Sequence, residues 1–492
     1  MKDLKSPAPA NRTLWLMISA FIAIIALGSA AYVAYIYLLP KPAPKTAATP
    51  KDFDFASSLQ KNKIQAGRAL NIQHWQTAQG AHVYFVPSPE LPILDIRLIF
   101  SAGSARDQQL PGLAQLTNTL LLEGTAHHTG DQIAAQFEQL GAQIDTAAYR
   151  DMAIVGLRTL KDPAYLTPAL ELMTEVVSEP AFPQEAFQRN LNLMRVNLQG
   201  IQQDPNALID RALFSALYPN HPYQYSPDGT AESINQLTPN HVQQFYHTQY
   251  IAPNCTIAIV GAIDRAQAEQ ITNQLMAKLT AGTPSAPTPA VAALTAPHQQ
   301  HINFPSTQTH IALAGVGVAY NDPRYFPLAV GNYIFGGGAF SSILNKTIRQ
   351  DRGLSYSVYS SFIPMQAAGP FMIALQTKNE SANEALQLTK TALKNFIAQG
   401  PTPEQLTQAQ EYLLASFPLK AASNSSILDY LGLIGFYHLP LNYLDTYRQR
   451  IQQVTAQQIQ QAFASLIHPD QLVEITLGPQ TAITQPVIAA GS

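Results

Sequence analysis

GLAQLTNTLLLEGT, residues 112–125, decides how the rest of the chain is read. Leu113, Leu116 and Leu120 recur at helical spacing and Gly124 supplies the stop, so the stretch predicts an amphipathic helix. Gln115, Asn118 and Thr119 stand at i, i+3 and i+4, which places them on one helix face. Basic nitrogen ligands at the outer two positions, with a carboxylate between them, would hold a metal ion there and activate a bound water. This helix carries three neutral polar side chains instead.

The flanks extend the pattern. An apolar strand over Leu94–Phe100 runs into Gly103, Ser104 and Asp107, and Gly112, Ala114, Gly124 and Thr125 follow at fixed spacing. Together these positions resemble the pitrilysin/insulinase-like zinc peptidase family, which includes the mitochondrial processing peptidase. There a G-S-x-x-E/D turn leads to the inverted motif G-x-A-H-x-x-E-H and then to G-T. In this chain Gln115, Asn118 and Thr119 replace all three chemical residues. The family's third ligand is a Glu on a later helix, after a pattern like F-x-R. Here Phe187 and Arg189 are followed by NLNLMRVNL, and no carboxylate occurs between Glu185 and Asp204. Gln, Asn and Thr are poorly basic and cannot substitute for imidazole and carboxylate on zinc. The resemblance therefore implies a metallopeptidase scaffold with no zinc in this chain and no hydrolysis by the chain alone. His127 and His128 are adjacent, and neighbours do not share a helix face. They read as solvated loop histidines, and Glu123 as a surface residue at the helix end.

A second block, GGGAFSSILNKTIRQDRGLSYSVYS, spans residues 336–360. Gly336, Gly337 and Gly338 lack the Lys-Ser/Thr of a P-loop and the spacing of a dinucleotide fingerprint. The block resembles the same family's glycine-rich loop, helix and strand on the domain without zinc. Arg349 and Tyr356, seven residues apart, match the family's Arg–Tyr pair. The resemblance implies that this pair binds substrate backbone and helps polarise the scissile carbonyl, with the glycine loop near bound peptide. Guanidinium and phenol donors aimed at a developing oxyanion suit that chemistry.

Composition bounds the rest. The 492 residues are 46% hydrophobic and 12% charged, with room for two or more domains. A net charge of −3 offers no general attraction to nucleic acid. Cys255 is the single cysteine and lies in the apolar run CTIAIVGA, so an internal disulfide is impossible and a buried, inert thiol is expected. Residues 13–39 contain no charge and are bounded by Arg12 and Lys41, long enough to span a bilayer. Lys2, Lys5 and Arg12 precede the span and predict a cytoplasmic tail over 1–12. The apolar run is longer than a signal-peptide core, which favours an uncleaved anchor. The expected location is a bacterial inner membrane, crossed once, with the bulk of the chain in the periplasm. Residues 40–54, rich in Pro, Ala and Lys, read as a tether.

Strand and helix patterns run from residue 55 to about 280, pause in a Pro/Ala/Thr-rich linker over 281–300, and restart in similar order over 301–484. That repetition indicates an internal duplication. The expected fold is α+β: two duplicated α/β-sandwich domains, which in the family form a clamshell around a peptide chamber, preceded by one transmembrane helix. Some members of the family divide the site between two chains, one with H-x-x-E-H and one with only Arg and Tyr. This chain has the second profile. The implied partner is a zinc-bearing H-x-x-E-H homologue in a heterodimer, with peptide or unfolded polypeptide as substrate and Arg349 and Tyr356 supplied in trans. A stand-alone pseudopeptidase, acting as a peptide-binding or structural scaffold, is the alternative.

Overall fold

Two sheets with the same connectivity organise the chain. The computed structural model describes residues 70–480. The expected transmembrane segment and tether lie outside the described residues, and no described helix is long and apolar enough to cross a membrane. The first sheet takes β1 (Gln73–Gln76), β2 (His82–Pro87), β3 (Ile93–Phe100), β4 (Gln143–Ala148), β5 (Ala153–Leu160) and β6 (Cys255–Gly261) in the order β1-β2-β6-β3-β5-β4. The second takes β7 (His298–Asn303), β8 (Gln308–Val316), β9 (Ser355–Phe362), β10 (Pro370–Lys378) and β11 (Val473–Gly478) in the order β7-β11-β8-β10-β9. Strip β1 from the first sheet and the orders coincide, down to the one parallel pair in each, β2 with β6 and β7 with β11. The duplication read from the sequence is therefore present as topology. Strand β7 begins within the stretch read as linker.

Each sheet buries both faces, which is why its central strands are apolar without alternation. In the first, Val83, Phe85, Leu94, Ile96, Leu98, Ile257 and Ile259 face helices of their own half. The opposite face is covered by a helix from the other half, Asn424–Phe436. Ser423 caps that helix by accepting from the Ser426 N–H. The helix is hydrophobic on nearly every side because it is wedged between two layers. Its glycines let it approach the sheet: a Cβ at Gly435 would lie 2.5 Å from Thr256 Cγ2 and 2.6 Å from the Tyr84 ring. Asp429 accepts from Arg97 Nη1 at 2.5 Å on the same contact.

The exchange is reciprocal. The first half sends Pro205–Leu217 across to the second sheet, where Ile209, Leu213, Phe214 and Leu217 join Ala312, Ala314, Val473, Ile475 and Leu477 in one cluster. Asp204 caps this helix and Pro205 occupies its first position. The clamshell expectation is modified accordingly. Among the described residues, two crossed-over helices pack between the halves, each against the other half's sheet.

A polar hub ties the same junction. Buried Asp151 accepts from Tyr223 Oη at 2.5 Å, from Tyr437 Oη at 3.1 Å and from the Gln366 N–H at 2.8 Å. Tyr223 comes from the first half, while Gln366 and Tyr437 come from the second. Burial pushes the Asp151 carboxyl up, against these hydrogen bonds.

Candidate functional site

The helix predicted over residues 112–125 forms as Leu113–Leu120, followed by a single 3-10 turn over Leu121–Glu123. Gly112 at its N-cap has φ +99, and a Cβ there would stand 3.0 Å from Met194 Cε and 3.2 Å from Gly229 Cα. Only glycine meets both demands. Asp107 supplies the cap that Gly112 lacks, its carboxylate accepting from the N–H groups of Gly112 (2.8 Å) and Ala114 (2.7 Å). Burial pushes this carboxyl up to about 8, against those backbone bonds.

On the face where a metal would sit, the three predicted positions divide. Asn118 is 1% exposed, and its amide donates to Tyr250 Oη at 3.1 Å and to the Ile154 carbonyl at 3.3 Å. Gln115 and Thr119 face outward and engage each other: Gln115 Nε2 donates to Thr119 Oγ1 at 3.4 Å, and Thr119 Oγ1 donates to the Gln115 carbonyl at 2.9 Å. They form one wall of a cleft of about 240 Å³, whose other wall is the Gln184–Ile201 helix with Asn190, Leu193, Met194 and Asn197. The resemblance already gave this helix as the place of the missing third ligand; which of its residues line the cleft, Asn190 and Asn197 among them, only the fold shows. Three amides, a hydroxyl and a thioether, with Asp228 as the one carboxylate in the lining, do not suit zinc. Among the described residues no group of three or more His, Cys, Asp or Glu is placed to hold a metal ion. The zinc implied by the scaffold does not fit this chain, and no chemistry is routed through it.

Neighbouring groups depart from the sequence reading. Glu123 is not an idle surface residue; it pairs with Arg189 and accepts from Asn190 Nδ2 at 2.8 Å, tying the two helices together. His128 is half-buried, with Nδ1 2.9 Å from Glu175 Oε1, and Thr125 Oγ1 donates to the same carboxylate. Burial raises the Glu175 carboxyl, but the bonds from Thr125 and His128 outweigh it and hold the group below the usual carboxylate range. His127 lies 3.7 Å from Glu179. His127 is the exposed loop residue expected, whereas the half-buried, carboxylate-bonded His128 is not. Cys255 is buried as expected, and burial pushes its thiol up.

The second block lies on the other sheet. The Tyr325–Asn332 helix runs into it through a π-helical turn, Tyr333–Gly337, a 3-10 turn follows, and the helix expected within the block forms as the π-helical Asn345–Gln350. Gly336 and Gly338 are buried and leave no room for a side chain: a Cβ would come within 2.4 Å of Ser360 Oγ and 2.6 Å of the Tyr333 carbonyl oxygen, respectively. Gly337 alone of the three is exposed. Tyr356, at the start of edge strand β9, is 86% exposed. Arg349 makes no ion pair among the described residues, and its guanidinium carbon lies 5.0 Å from the Phe340 ring centroid. Phe340 is itself 67% exposed and follows Ala339, whose φ is +25. Gln350 Nε2 fixes this loop by donating to the Phe340 carbonyl at 2.8 Å. Nothing in the sequence singled out Phe340. Its signal was an aromatic beside a glycine run, which core packing could equally explain.

A zinc-peptidase scaffold stripped of its ligands, with a half-buried Arg and an exposed Tyr on the duplicated half, is the class of protein these features define. Residues 85–230 match the family model for insulinase (peptidase family M16), and residues 236–413 match the peptidase M16 inactive domain. A crystal structure of a peptidase M16 inactive domain from Pseudomonas fluorescens is 41% identical, covers 85% of this chain and all of its own, and superposes with a TM-score of 0.81. A non-peptidase homologue from Helicobacter pylori is 26% identical over 75% of this chain and 85% of its own. An uncharacterised zinc protease from Bacillus subtilis is 23% identical over 72% of this chain and 86% of its own. The chain belongs to the M16, insulinase-type peptidase family, as an inactive member.

Proposed function

We propose that this chain is the zinc-free subunit of an M16 peptidase pair, binding peptide and supplying Arg349 and Tyr356 to the active site of a zinc-bearing H-x-x-E-H partner. The observation that carries the reading is the exposure of Tyr356, together with an Arg349 seven residues before it that has no carboxylate partner among the described residues. Donors left outward in this way suit an oxyanion or a peptide carbonyl delivered by another chain. Residues 13–39 would anchor the pair in the inner membrane, with residues 55–484 forming its two periplasmic domains. Co-purification from the native host tests the reading. An H-x-x-E-H homologue should be recovered, zinc should follow that partner, and Arg349→Ala should lower the pair's peptidase activity about 100-fold without separating it. Failure to recover any such partner would sink it.

A second reading has its own support. The Helicobacter pylori relative is described as a non-peptidase homologue, and a chain of that kind could hold polypeptide without any catalytic partner. It predicts peptide binding by the purified chain with no chelator-sensitive cleavage in the host extract.

A further inference from the structure

Strand β1 has no counterpart in the second sheet, and it lies at the edge of the first, paired only with β2. Its side chains divide between two neighbours. Trp75 packs on the first half's core, T-shaped to the Phe85 ring, with the Arg265 guanidinium carbon 3.7 Å from its ring centroid. His74 turns the other way, onto the Tyr84 ring at 4.6 Å, and meets His82 diagonally across the strand pair. His74 Nε2 and His82 Nδ1 are 3.4 Å apart, with the two rings within 6° of parallel. A third ring comes from the second half. His438, in the turn after the Asn424–Phe436 helix and at φ +53, has its centroid 6.4 Å from that of His82. Just before β1, Leu70 and Ile72 pack against the second half's core cluster. The segment is therefore a strap across the seam between the halves, with histidines from both sides of the seam beneath it.

We propose that His74, His82 and His438 form an acid-operated latch, which releases β1 from β2 and from the second half when the cluster gains protons. Two imidazole nitrogens at this separation can share one proton, the N–H of one ring donating to the lone pair of the other. A second proton sets two N–H donors head to head, and protonation of His438 adds a third positive charge. The elements packed around the pair offer no free counter-charge. On the Arg265–Met276 helix, Arg265 faces His74 and its Nε is tied to Glu269 at 2.6 Å, while Asp264 is used in the helix cap. On the Asn424–Phe436 helix, Asp429 is held by Arg97. Tyr84 stays neutral, since burial pushes its phenol up. Burial lowers both histidines of the pair; Arg265 lowers His74 further, and His74 and His438 lower His82. The sign follows from linkage. Rings that protonate less readily when docked than when free leave the docked strand fully stable above the ordinary histidine value, about 6.5, and weaken it as pH falls below that. Release bares the edge of β2 and frees residues 70–81, up to about 40 Å of extended chain between the sheets and the N-terminal segment.

Trp75 reports the strap directly. The chain's other tryptophan is Trp15, so the full chain carrying Trp15→Phe places all indole emission on β1. Between about pH 7.5 and pH 5 the emission should move to the red and acrylamide quenching should rise, with a midpoint below about 6.5 and unchanged far-UV circular dichroism. Each proton taken up on release should shift the equilibrium by up to about tenfold per pH unit. His82→Arg, which fixes the charge, should be released already at the upper end of that range. His82→Gln should remove most of the response. His438→Asn, which keeps a residue tolerant of positive φ, should move the midpoint to lower pH. Emission that stays constant over the range, or a response that survives in a folded His82→Gln, overturns the proposal. If His82→Gln does not fold, an unshifted midpoint in His438→Asn overturns it instead. Ellipticity lost in step with the red shift does so too, because that is general acid unfolding.

Discussion

At the Leu113–Leu120 helix the polar side chains where a metalloenzyme would keep its ligands are bonded within the chain, whereas at residues 336–360 the polar and aromatic groups point outward. Asn118 has turned to Tyr250 and Ile154, and Gln115 and Thr119 close on each other. Tyr356 and Phe340 remain in solvent, with Arg349 held only against a ring. A polar group released from a reaction is cheapest when it satisfies itself locally, because leaving it buried and unpaired costs about 1–3 kcal/mol. A group kept for a ligand has to forgo that satisfaction. The first region therefore behaves as architecture and the second as a surface awaiting something.

If that contrast is right, substitutions in the inward-bonded groups should cost stability and those in the outward groups should not. The largest effect is expected at the hub joining the halves. Asp151→Asn replaces with an N–H donor one of the two oxygens that between them accept from Tyr223, Tyr437 and the Gln366 N–H, and should destabilise by about 3 kcal/mol in chemical denaturation. Asn118→Ala strands the buried Tyr250 hydroxyl and should cost about 2 kcal/mol. A loss below about 0.5 kcal/mol would mean that the former metal face is not part of the architecture.

Asp107 gives a pH test. Its folded carboxyl is raised to about 8, so its contribution is fully present below the unfolded pKa, near 4, and is lost as pH rises through about 8. Asparagine does not titrate. The melting temperature of the wild type relative to Asp107→Asn should therefore fall steadily from pH 4 to pH 8. A gap that widens in favour of the wild type over that range would mean that the backbone N–H bonds, not burial, set this carboxyl. The smallest effects belong to the outward face. Tyr356→Phe and Phe340→Ala should each change unfolding free energy by less than about 0.5 kcal/mol while weakening whatever binds there. A large stability loss at either would remove the contrast.

Much of this was legible in the chain itself. Local periodicity and caps mark most elements: Thr129 starts the Gly130–Gln139 helix through a capping box with Gln132, and Asp264 does the same for Arg265–Met276. The Pro163–Ser178 helix opens on such a signal too, although it carries a second proline. Asp162 and Pro163 are the real start, and Pro168 is tolerated inside the helix. The loss of zinc ligands was also readable, since a missing imidazole is a matter of residue identity. So was the duplication, because the order of elements is written along the chain.

Other features needed the tertiary structure. That helices Pro205–Leu217 and Asn424–Phe436 exchange sheets follows from which apolar face meets which, and every apolar face looks alike in a one-dimensional pattern. The pairing of Glu123 with Arg189 and Asn190 spans more than sixty positions. The cleft beside His310 draws its walls from segments as far apart as Asn206 and Gln376. Residue identity determines which chemistry a chain has given up. Which of its remaining polar groups are satisfied and which are left waiting depends on distances that only the folded chain sets, because a hydrogen bond is made or lost within about half an ångström.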